Sequence, residues 1–245
     1  MIFLFTDFGA EGPYLGQVQA VLQQQAAGIT AINLVSDAPA GDPELASYLL
    51  AALARQCPAG SVFLCVVDPG VGGERLPVVL EADGNWYVGP ANGLLHTVAV
   101  QAEKAEWRII TWRPPQLSAS FHGRDLFAPV AAAIARGDGH CTSTPWQGPN
   151  LEGWPADRAA VVYFDHYGNA LTGCRYRSDL DGNELEIGDL RLRQAATFCR
   201  AAAGQAFWYR NSCDLVEIAV NQGRADRLGP LRLGAAFRFL APLRD

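Results

Sequence analysis

Residues 62–73 read Val-Phe-Leu-Cys-Val-Val-Asp-Pro-Gly-Val-Gly-Gly, and this stretch decides the fold class. Its first six residues form a continuous apolar run, which is typical of a strand covered on both faces. Asp68 and a glycine-rich loop follow at once, and a second apolar run, residues 2–6, ends similarly in Thr6-Asp7-Phe8-Gly9. Ligands of open α/β sheets bind beyond the carboxyl ends of the strands, so both loops are candidate binding loops. The alternative is two ordinary turns, since Asp and Gly are common turn residues.

The segments around these two strands alternate between strand-like and helix-like patterns. In the first helix-like segment, apolar residues recur at i, i+4, i+7 and i+8 between Tyr14 and Leu22, behind Pro13. This spacing is typical of a helix with one buried face, and proline suits its first turn. Further strands are predicted at 31–35, 78–81, 86–88 and 107–112, and helices at 13–27, 43–56 and 124–136. The alternation predicts a layered α/β domain with a mostly parallel sheet over residues 1–140.

The pattern changes after residue 140. Residues 141–157 contain Pro145, Pro149 and Pro155 with little periodicity, and they are predicted to be a linker. Short alternating runs separated by turn sequences then follow, at 160–165, 185–187, 190–193, 207–209, 215–220 and 236–240. We therefore predict a small antiparallel β-barrel-like domain over residues 158–245.

Composition excludes several classes of protein. The 245 residues are 49% hydrophobic, which is ample for a packed core and argues against a disordered chain. The net charge of −6 argues against a general binder of nucleic acid or anionic membranes. No window approaches the roughly 18 apolar residues of a membrane span, and the first residues lack the pattern of a signal peptide. We expect a cytoplasmic protein.

Motif scans predict neither a metal site nor a common cofactor site. The cysteines show no CxxC pair and no Cys/His cluster, so each is interpreted as structural: Cys57, Cys65, Cys141, Cys174, Cys199 and Cys213. There is no phosphate loop, no HExxH, no GxGxxG after a strand and no GxSxG elbow. His122 precedes the predicted helix 124–136, where a proton shuttle or hydrogen-bond donor is expected. The alternative is an ordinary capping or surface histidine.

Taken in order, the motifs resemble one family, the S-adenosyl-L-methionine hydroxide adenosyltransferases, which are related to the fluorinases and chlorinases. The matching segments span nearly the whole chain: Thr6-Asp7-Phe8-Gly9, Asp68-Pro69-Gly70-Val71-Gly72 followed by Arg75, Gly89-Pro90-Ala91-Asn92-Gly93-Leu94-Leu95, Phe121-His122-Gly123-Arg124-Asp125, Asp165-His166-Tyr167-Gly168-Asn169, and Asn211-Ser212 followed by residues 215–221. The resemblance implies a homotrimer, with each active site between one subunit's N-terminal domain and its neighbour's C-terminal domain. The implied reaction is hydrolysis of S-adenosylmethionine to adenosine and methionine, with no metal and no cofactor.

The resemblance also implies roles for individual residues. Asp68, Arg75 and His122 correspond to the family's water-activating set. Arg75 would stabilise hydroxide character, His122 would accept or relay the proton, and Asp68 would orient the cation and the water. Because the sulfonium already makes the ribose C5′ electrophilic, the site has chiefly to position an oxygen in line with the C5′–S bond.

Five further residues correspond to substrate-binding positions. Asp7 is expected to bind the ribose hydroxyls, Asp165 the methionine ammonium, and Ser212 the methionine carboxylate. Asn169 is expected to read the adenine edge, and Tyr167 to offer a ring for stacking. The alternatives are a plain turn at 165–169 and a local cap at Ser212.

The chain departs from the family pattern at three places, and two alternative functions also stay open. Ala91 stands where Asp is frequent, Tyr167 where Phe is common, and Cys213-Asp214 where a small residue such as Gly is frequent. Halogenases lack the Asp/Arg/His set that this chain keeps, which makes 5′-halo-adenosine formation the weaker alternative. A non-catalytic S-adenosylmethionine or adenosine-binding module is the other.

Overall fold

The computed structural model describes residues 1–138 and 142–241, so Cys141 and the far ends of both predicted domains, at residues 140 and 245, lie outside the described residues. The chain divides into two units, Met1–Ala156 and Asp157–Asp245. The α/β class predicted from the sequence is confirmed. No helix in the part of the chain that the structure describes is long and apolar enough to cross a membrane.

The first unit is built on a seven-stranded sheet. Its strands are β1 (Ile2–Thr6), β2 (Ala31–Val35), β3 (Val62–Val66), β4 (Pro77–Ala82), β5 (Asn85–Pro90), β6 (Ala105–Ile110) and β7 (Ser143–Trp146). The spatial order is β2-β1-β3-β5-β4-β6-β7. The first four strands in that order pair in parallel, and the remaining three pairs are antiparallel. The sheet is therefore mixed, where we predicted a mostly parallel one.

The turn between β4 and β5 explains that difference. Ala82 pairs with Asn85, so only Asp83 and Gly84 connect the two strands. Both connecting residues have positive φ, 47° and 80°, as in the two-residue turns of β-hairpins. Such a short connection can join only antiparallel strands, since a parallel pair needs a crossover. Asp-Gly between apolar runs is a hairpin signal that our interpretation passed over.

Helices cover the sheet: α1 (Tyr14–Gln25), α2 (Pro43–Ala54), α3 (His96–Gln101) and α4 (Ala128–Ala135). Ile2, Leu4 and Leu64 of the central strands share one core with α1 and α4. The predicted helix 124–136 is divided, because a π-helical turn, Gly123–Phe127, precedes α4. There the Ala128 N–H donates to the Gly123 carbonyl. Pro129 has no N–H to give to the Asp125 carbonyl, which favours the wider turn.

The structure corrects the prediction of a linker over residues 141–157. Its described residues up to Ala156 belong to the first unit, and β7 within it pairs with β6. Pro145 is tolerated because β7 is an edge strand, where a missing N–H costs no ladder bond. The ring of Trp146 packs edge-on against Trp107 at 6.1 Å. Prolines and glycines had hidden a strand of four residues.

The second unit contains two antiparallel sheets. Their strands are β8 (Arg158–Phe164), β9 (Ala170–Arg175), β10 (Glu184–Ile187), β11 (Leu190–Leu192), β12 (Ala206–Arg210), β13 (Leu215–Val220) and β14 (Arg238–Leu240). The orders are β12-β13-β9-β8 and β11-β10-β14. Single bridges, Ala160–Ala236 and Gln194–Trp208, join the edges on both sides, which makes the unit barrel-like. Its core surrounds the fully buried Trp208. Strand β9 was not predicted, because its small residues and Gly173 have weak strand propensity.

Candidate active site

Two acidic residues meet at one edge of the seven-stranded sheet. β1 and β3 are parallel neighbours, with Thr6 opposite Val66, so the residues that follow them leave the sheet side by side. The Asp7 N–H donates to the Val66 carbonyl at 3.3 Å. Asp68 lies two residues after Val66 in the sequence. The carboxyl ends of parallel strands are where an α/β sheet binds ligands.

Asp68, Arg75 and His122 form one hydrogen-bonded group. The Arg75 Nε lies 3.0 Å from both carboxylate oxygens of Asp68, and its Nη2 donates to Oδ2 as well. The same Nη2 lies 2.9 Å from the His122 Nδ1. The Arg75 and Asp68 side chains are only 11% and 4% exposed. The structure thus brings together the three residues that the resemblance implied for water activation.

Three features of the first unit hold this group in place. Gly72 has φ +80°, and a Cβ there would lie 2.4 Å from the Ala119 carbonyl oxygen, so only glycine lets the loop pack closely. The Asn92 side chain donates to the Val67 carbonyl at 2.9 Å, just before Asp68. The Arg75 guanidinium lies 5.3 Å from the centre of the Phe127 ring, a favourable cation–π contact.

The electrostatics favour a neutral His122. Burial lowers the pKa of His122 first, and the positive charge of Arg75 lowers it further. The carboxylates of Asp68 and Asp125 act in the opposite direction but are outweighed. The imidazole is therefore uncharged at neutral pH.

A cavity of about 130 Å³ adjoins the group in the first unit. Asp7, Asp68 and His122 line it together with Phe8 and Phe121, whose rings pack edge-on at 5.7 Å. One oxygen of Asp7 accepts the N–H of Gly41 at 3.0 Å. Two aromatic rings form one part of the cavity wall, and polar groups converge on the other. This arrangement suits an organic ligand that binds next to a water molecule.

The second unit has a larger cavity, of about 790 Å³, which gathers the other predicted residues. Asp165, Tyr167, Asn169 and Ser212 all line it. Asn169 donates to Asp165 twice, from its backbone N–H at 2.8 Å and from its side-chain amide at 3.0 Å. Tyr167 is 72% exposed, so its ring is accessible to a stacking partner.

Three lining residues of that cavity were missed as site residues. Glu217 is buried, and its carboxylate accepts the Tyr209 hydroxyl at 2.6 Å and the Asn211 amide at 2.9 Å. Burial raises the pKa of Glu217, although both hydrogen bonds lower it. The Asn211 side-chain oxygen in turn accepts the N–H groups of Cys213 and Leu215, which shapes the loop that carries Ser212. The available signal was a single acidic residue within the apolar run 215–220.

Neither unit presents a metal centre in the part of the chain described: no group of three or more His, Cys, Asp or Glu side chains there could hold an ion. His96 packs edge-on against Trp154 at 4.7 Å, away from the lining of either cavity. The described cysteines are unpaired by disulfides, and Cys65 is fully buried.

Comparison with known proteins agrees with this geometry. Residues 2–143 match the model of the SAM hydroxide adenosyltransferase N-terminal domain, and residues 159–238 match that of the C-terminal domain. The chain is 35% identical to an (R)-S-adenosyl-L-methionine hydrolase of Thermus thermophilus, over 98% of this chain and 99% of the relative. It is 32% identical to one of Salinispora arenicola, over 96% of both.

A crystal structure of an uncharacterized conserved protein from Thermotoga maritima matches 98% of this chain and 99% of its own, with a TM-score of 0.89 and 27% identity. The shared fold, the two matched domain models and the full-length similarity to curated relatives lead to one conclusion. The chain belongs to the SAM hydroxide adenosyltransferase family.

Proposed function

We propose that the protein hydrolyses S-adenosyl-L-methionine to adenosine and methionine. The observation that carries the proposal is the buried Asp68–Arg75–His122 group beside a cavity, in a chain of this family. The curated relatives are named for the (R) epimer of the substrate. We accordingly propose the (R) sulfonium as the substrate here.

The chemistry requires positioning more than activation. The sulfonium is a cationic leaving group, so the ribose C5′ is electrophilic before the enzyme acts. The rate of water attack therefore depends chiefly on holding the water in line with the C5′–S bond. Arg75 fixes the positions of Asp68 and His122, and these two residues supply hydrogen-bonding groups at the cavity wall. The reaction needs no electron carrier, and we propose that it uses no cofactor or metal.

Substrate contacts are proposed for both units. Asp7 binds the ribose hydroxyls beside the smaller cavity, and Asp165 binds the methionine ammonium in the larger one. Ser212 binds the methionine carboxylate, Asn169 reads the adenine edge, and Tyr167 stacks on the base. The joint lining of one cavity by the last four residues supports these assignments.

Because the two sets of residues lie in different units, we also propose the assembly that the resemblance implies. Three subunits form a ring, and each active site combines the first unit of one subunit with the second unit of its neighbour. Mixing two inactive variants tests this: Arg75→Ala subunits and Ser212→Ala subunits, co-refolded in equal amounts, should regain about a quarter of the parent activity in a three-fold ring. Sites contained within one subunit would regain none.

The first experiment is mass spectrometry of S-adenosylmethionine incubated with the protein in ¹⁸O-labelled water. Labelled adenosine released with methionine, and lost in Arg75→Ala, is the expected result. A 5′-halo product formed on addition of chloride or fluoride would instead identify a halogenase. Saturable binding without any product would identify a binding module, and absence of binding would contradict the assignment.

A further inference from the structure

The hydrogen bond between Arg75 and His122 determines where the imidazole carries its proton. A guanidinium has five N–H donors and no acceptor, so the ring nitrogen that faces it must accept. That nitrogen is Nδ1, which lies 2.9 Å from the Arg75 Nη2. A neutral imidazole has one N–H and one lone pair. With the lone pair on Nδ1, the proton is on Nε2.

Arg75 cannot turn aside to release this constraint. Its Nε and Nη2 are both bonded to Asp68, and its guanidinium rests over the Phe127 ring. Both partners in the ion pair are almost completely buried. Protonation of Nδ1 would therefore set one N–H against another and place two cations in contact.

The surrounding charges act in the same direction on balance. Arg75 and Arg113 disfavour a charged imidazole, and burial disfavours it most. Asp68 and Asp125 favour it, but less strongly. The neutral ring with its proton on Nε2 is thus the form that the site holds at neutral pH.

We propose, on the basis of the function proposed above, that His122 is a hydrogen-bond donor to the attacking water and that Asp68 is the proton acceptor. His122 lines the cavity, and because its Nδ1 faces Arg75, which is not among the lining residues, we infer that the Nε2–H is the group it offers to a ligand there. Asp68 lines the same cavity, and its Oδ1 accepts only one bond from Arg75, which leaves a lone pair on that oxygen for the water. This assignment replaces the base that the resemblance had suggested.

The step balances with these two residues. A lone pair on the water oxygen forms the O–C5′ bond, while the C5′–S bond breaks and its electron pair moves to sulfur, which yields the neutral thioether of methionine. The proton that the oxygen must lose passes to the Asp68 carboxylate and later to solvent. A carboxylate is a sufficient base, because an oxygen already bonded to C5′ and still carrying both protons is a much stronger acid than a carboxylic acid.

Nitrogen NMR of the protein labelled with ¹⁵N in its histidine rings tests the tautomer without substrate. The His122 signals are identified by their loss in His122→Gln. We expect an unprotonated Nδ1 and a protonated Nε2 near neutral pH, and a loss of that preference in Arg75→Met. A protonated Nδ1, or protons on both nitrogens, in the parent protein would overturn the proposal.

Turnover of two amide variants tests the donor role. The His122→Gln amide N–H reaches about as far as the imidazole Nε2, and Arg75 holds the amide oxygen toward itself. The His122→Asn amide reaches only as far as Nδ1. If His122 acts as a donor that orients the water, Gln should retain up to about tenfold more kcat than Asn, which is the upper range for one hydrogen bond between neutral groups. Equal kcat values would contradict the donor role.

These two readouts separate this inference from the proposed function. If the parent protein releases no labelled adenosine, the proposed function fails, whereas the tautomer is measured on the resting protein. If labelled adenosine forms but Nδ1 is protonated, hydrolysis stands and only the roles of His122 and Asp68 are wrong.

Discussion

Replacing Arg75 with methionine tests the centre of the site, because it removes the charge and keeps most of the volume. Asp68 then remains in a place where its side chain is 4% exposed, without the guanidinium that occupies both of its oxygens. Removing one partner of a buried ion pair costs about 3–5 kcal/mol of stability. We expect Arg75→Met to lower the free energy of unfolding by about that amount.

The same replacement should reduce catalysis more than binding. Arg75 positions both the proposed proton acceptor Asp68 and the proposed donor His122. Proton transfer to a positioned side chain contributes about 10²–10⁴-fold to a rate, so we expect kcat to fall by an amount in that range. The proposed contacts to adenine and methionine lie in the second unit and do not involve Arg75. Adenosine affinity should therefore change by less than about threefold, or roughly 0.65 kcal/mol.

Three measurements are needed: denaturant unfolding, release of labelled adenosine, and calorimetric titration with adenosine. Asp68→Asn combined with Arg75→Met removes the unpaired charge and should recover much of the stability without recovering kcat. Arg108→Met is the matched control, because Arg108 bonds to neutral groups of Ser143 and its strand β6 lies three strands from β3, about 14 Å away. The control should keep the parent kcat. A parent-like rate for Arg75→Met, or a stability that the second substitution does not raise, would refute the reasoning.

Three further predictions concern packing, pH and the second cavity. Gly72→Ala should destabilise the protein by about 2 kcal/mol more than Gly84→Ala, as measured by denaturant unfolding of both variants. Both glycines have φ +80°, but only at Gly72 would a Cβ lie against a carbonyl oxygen. Burial lowers the pKa of His96, so the unfolded chain binds a proton more readily than the folded protein does. The contribution of His96 to stability is therefore fully present above about pH 6.5, the usual pKa of a histidine, and declines below it. His96→Phe should reduce that decline when thermal unfolding is measured across this pH range. Glu217→Ala leaves the Tyr209 hydroxyl without its acceptor and should raise KM with little change in kcat, whereas Glu217→Gln should restore KM; a fall in kcat alone would count against a binding role.

Local patterns predicted most elements of the first unit to within a few residues. The uninterrupted apolar runs at 2–6 and 62–67 became the buried central strands β1 and β3. The direction of β4 was missed, since a strand looks alike in either direction and only the Asp-Gly turn reveals it. Strand β7 was missed because prolines obscured a short edge strand that is stabilised by its neighbour β6.

Charged groups in the interior were harder to predict from the sequence. Asp68 and Arg75 are close in sequence, but no local sequence pattern shows that the Arg75 guanidinium also reaches His122, which is 47 residues away. Glu217 was overlooked because an acidic side chain in an apolar run is usually expected to face water. Its partners Tyr209 and Asn211 come from the neighbouring strand β12 and from the loop that follows it, and they make its burial tolerable.

The sequence by itself determined the α/β class, the presence of a β-rich second half and the family, because apolar periodicity and ordered motifs are properties of the chain read in one direction. Only the tertiary structure decided which groups of the site share protons. That property depends on donors and acceptors meeting within 3 Å and on the exclusion of water around them, and the Arg75–His122 contact is the instance on which the chemistry proposed here depends.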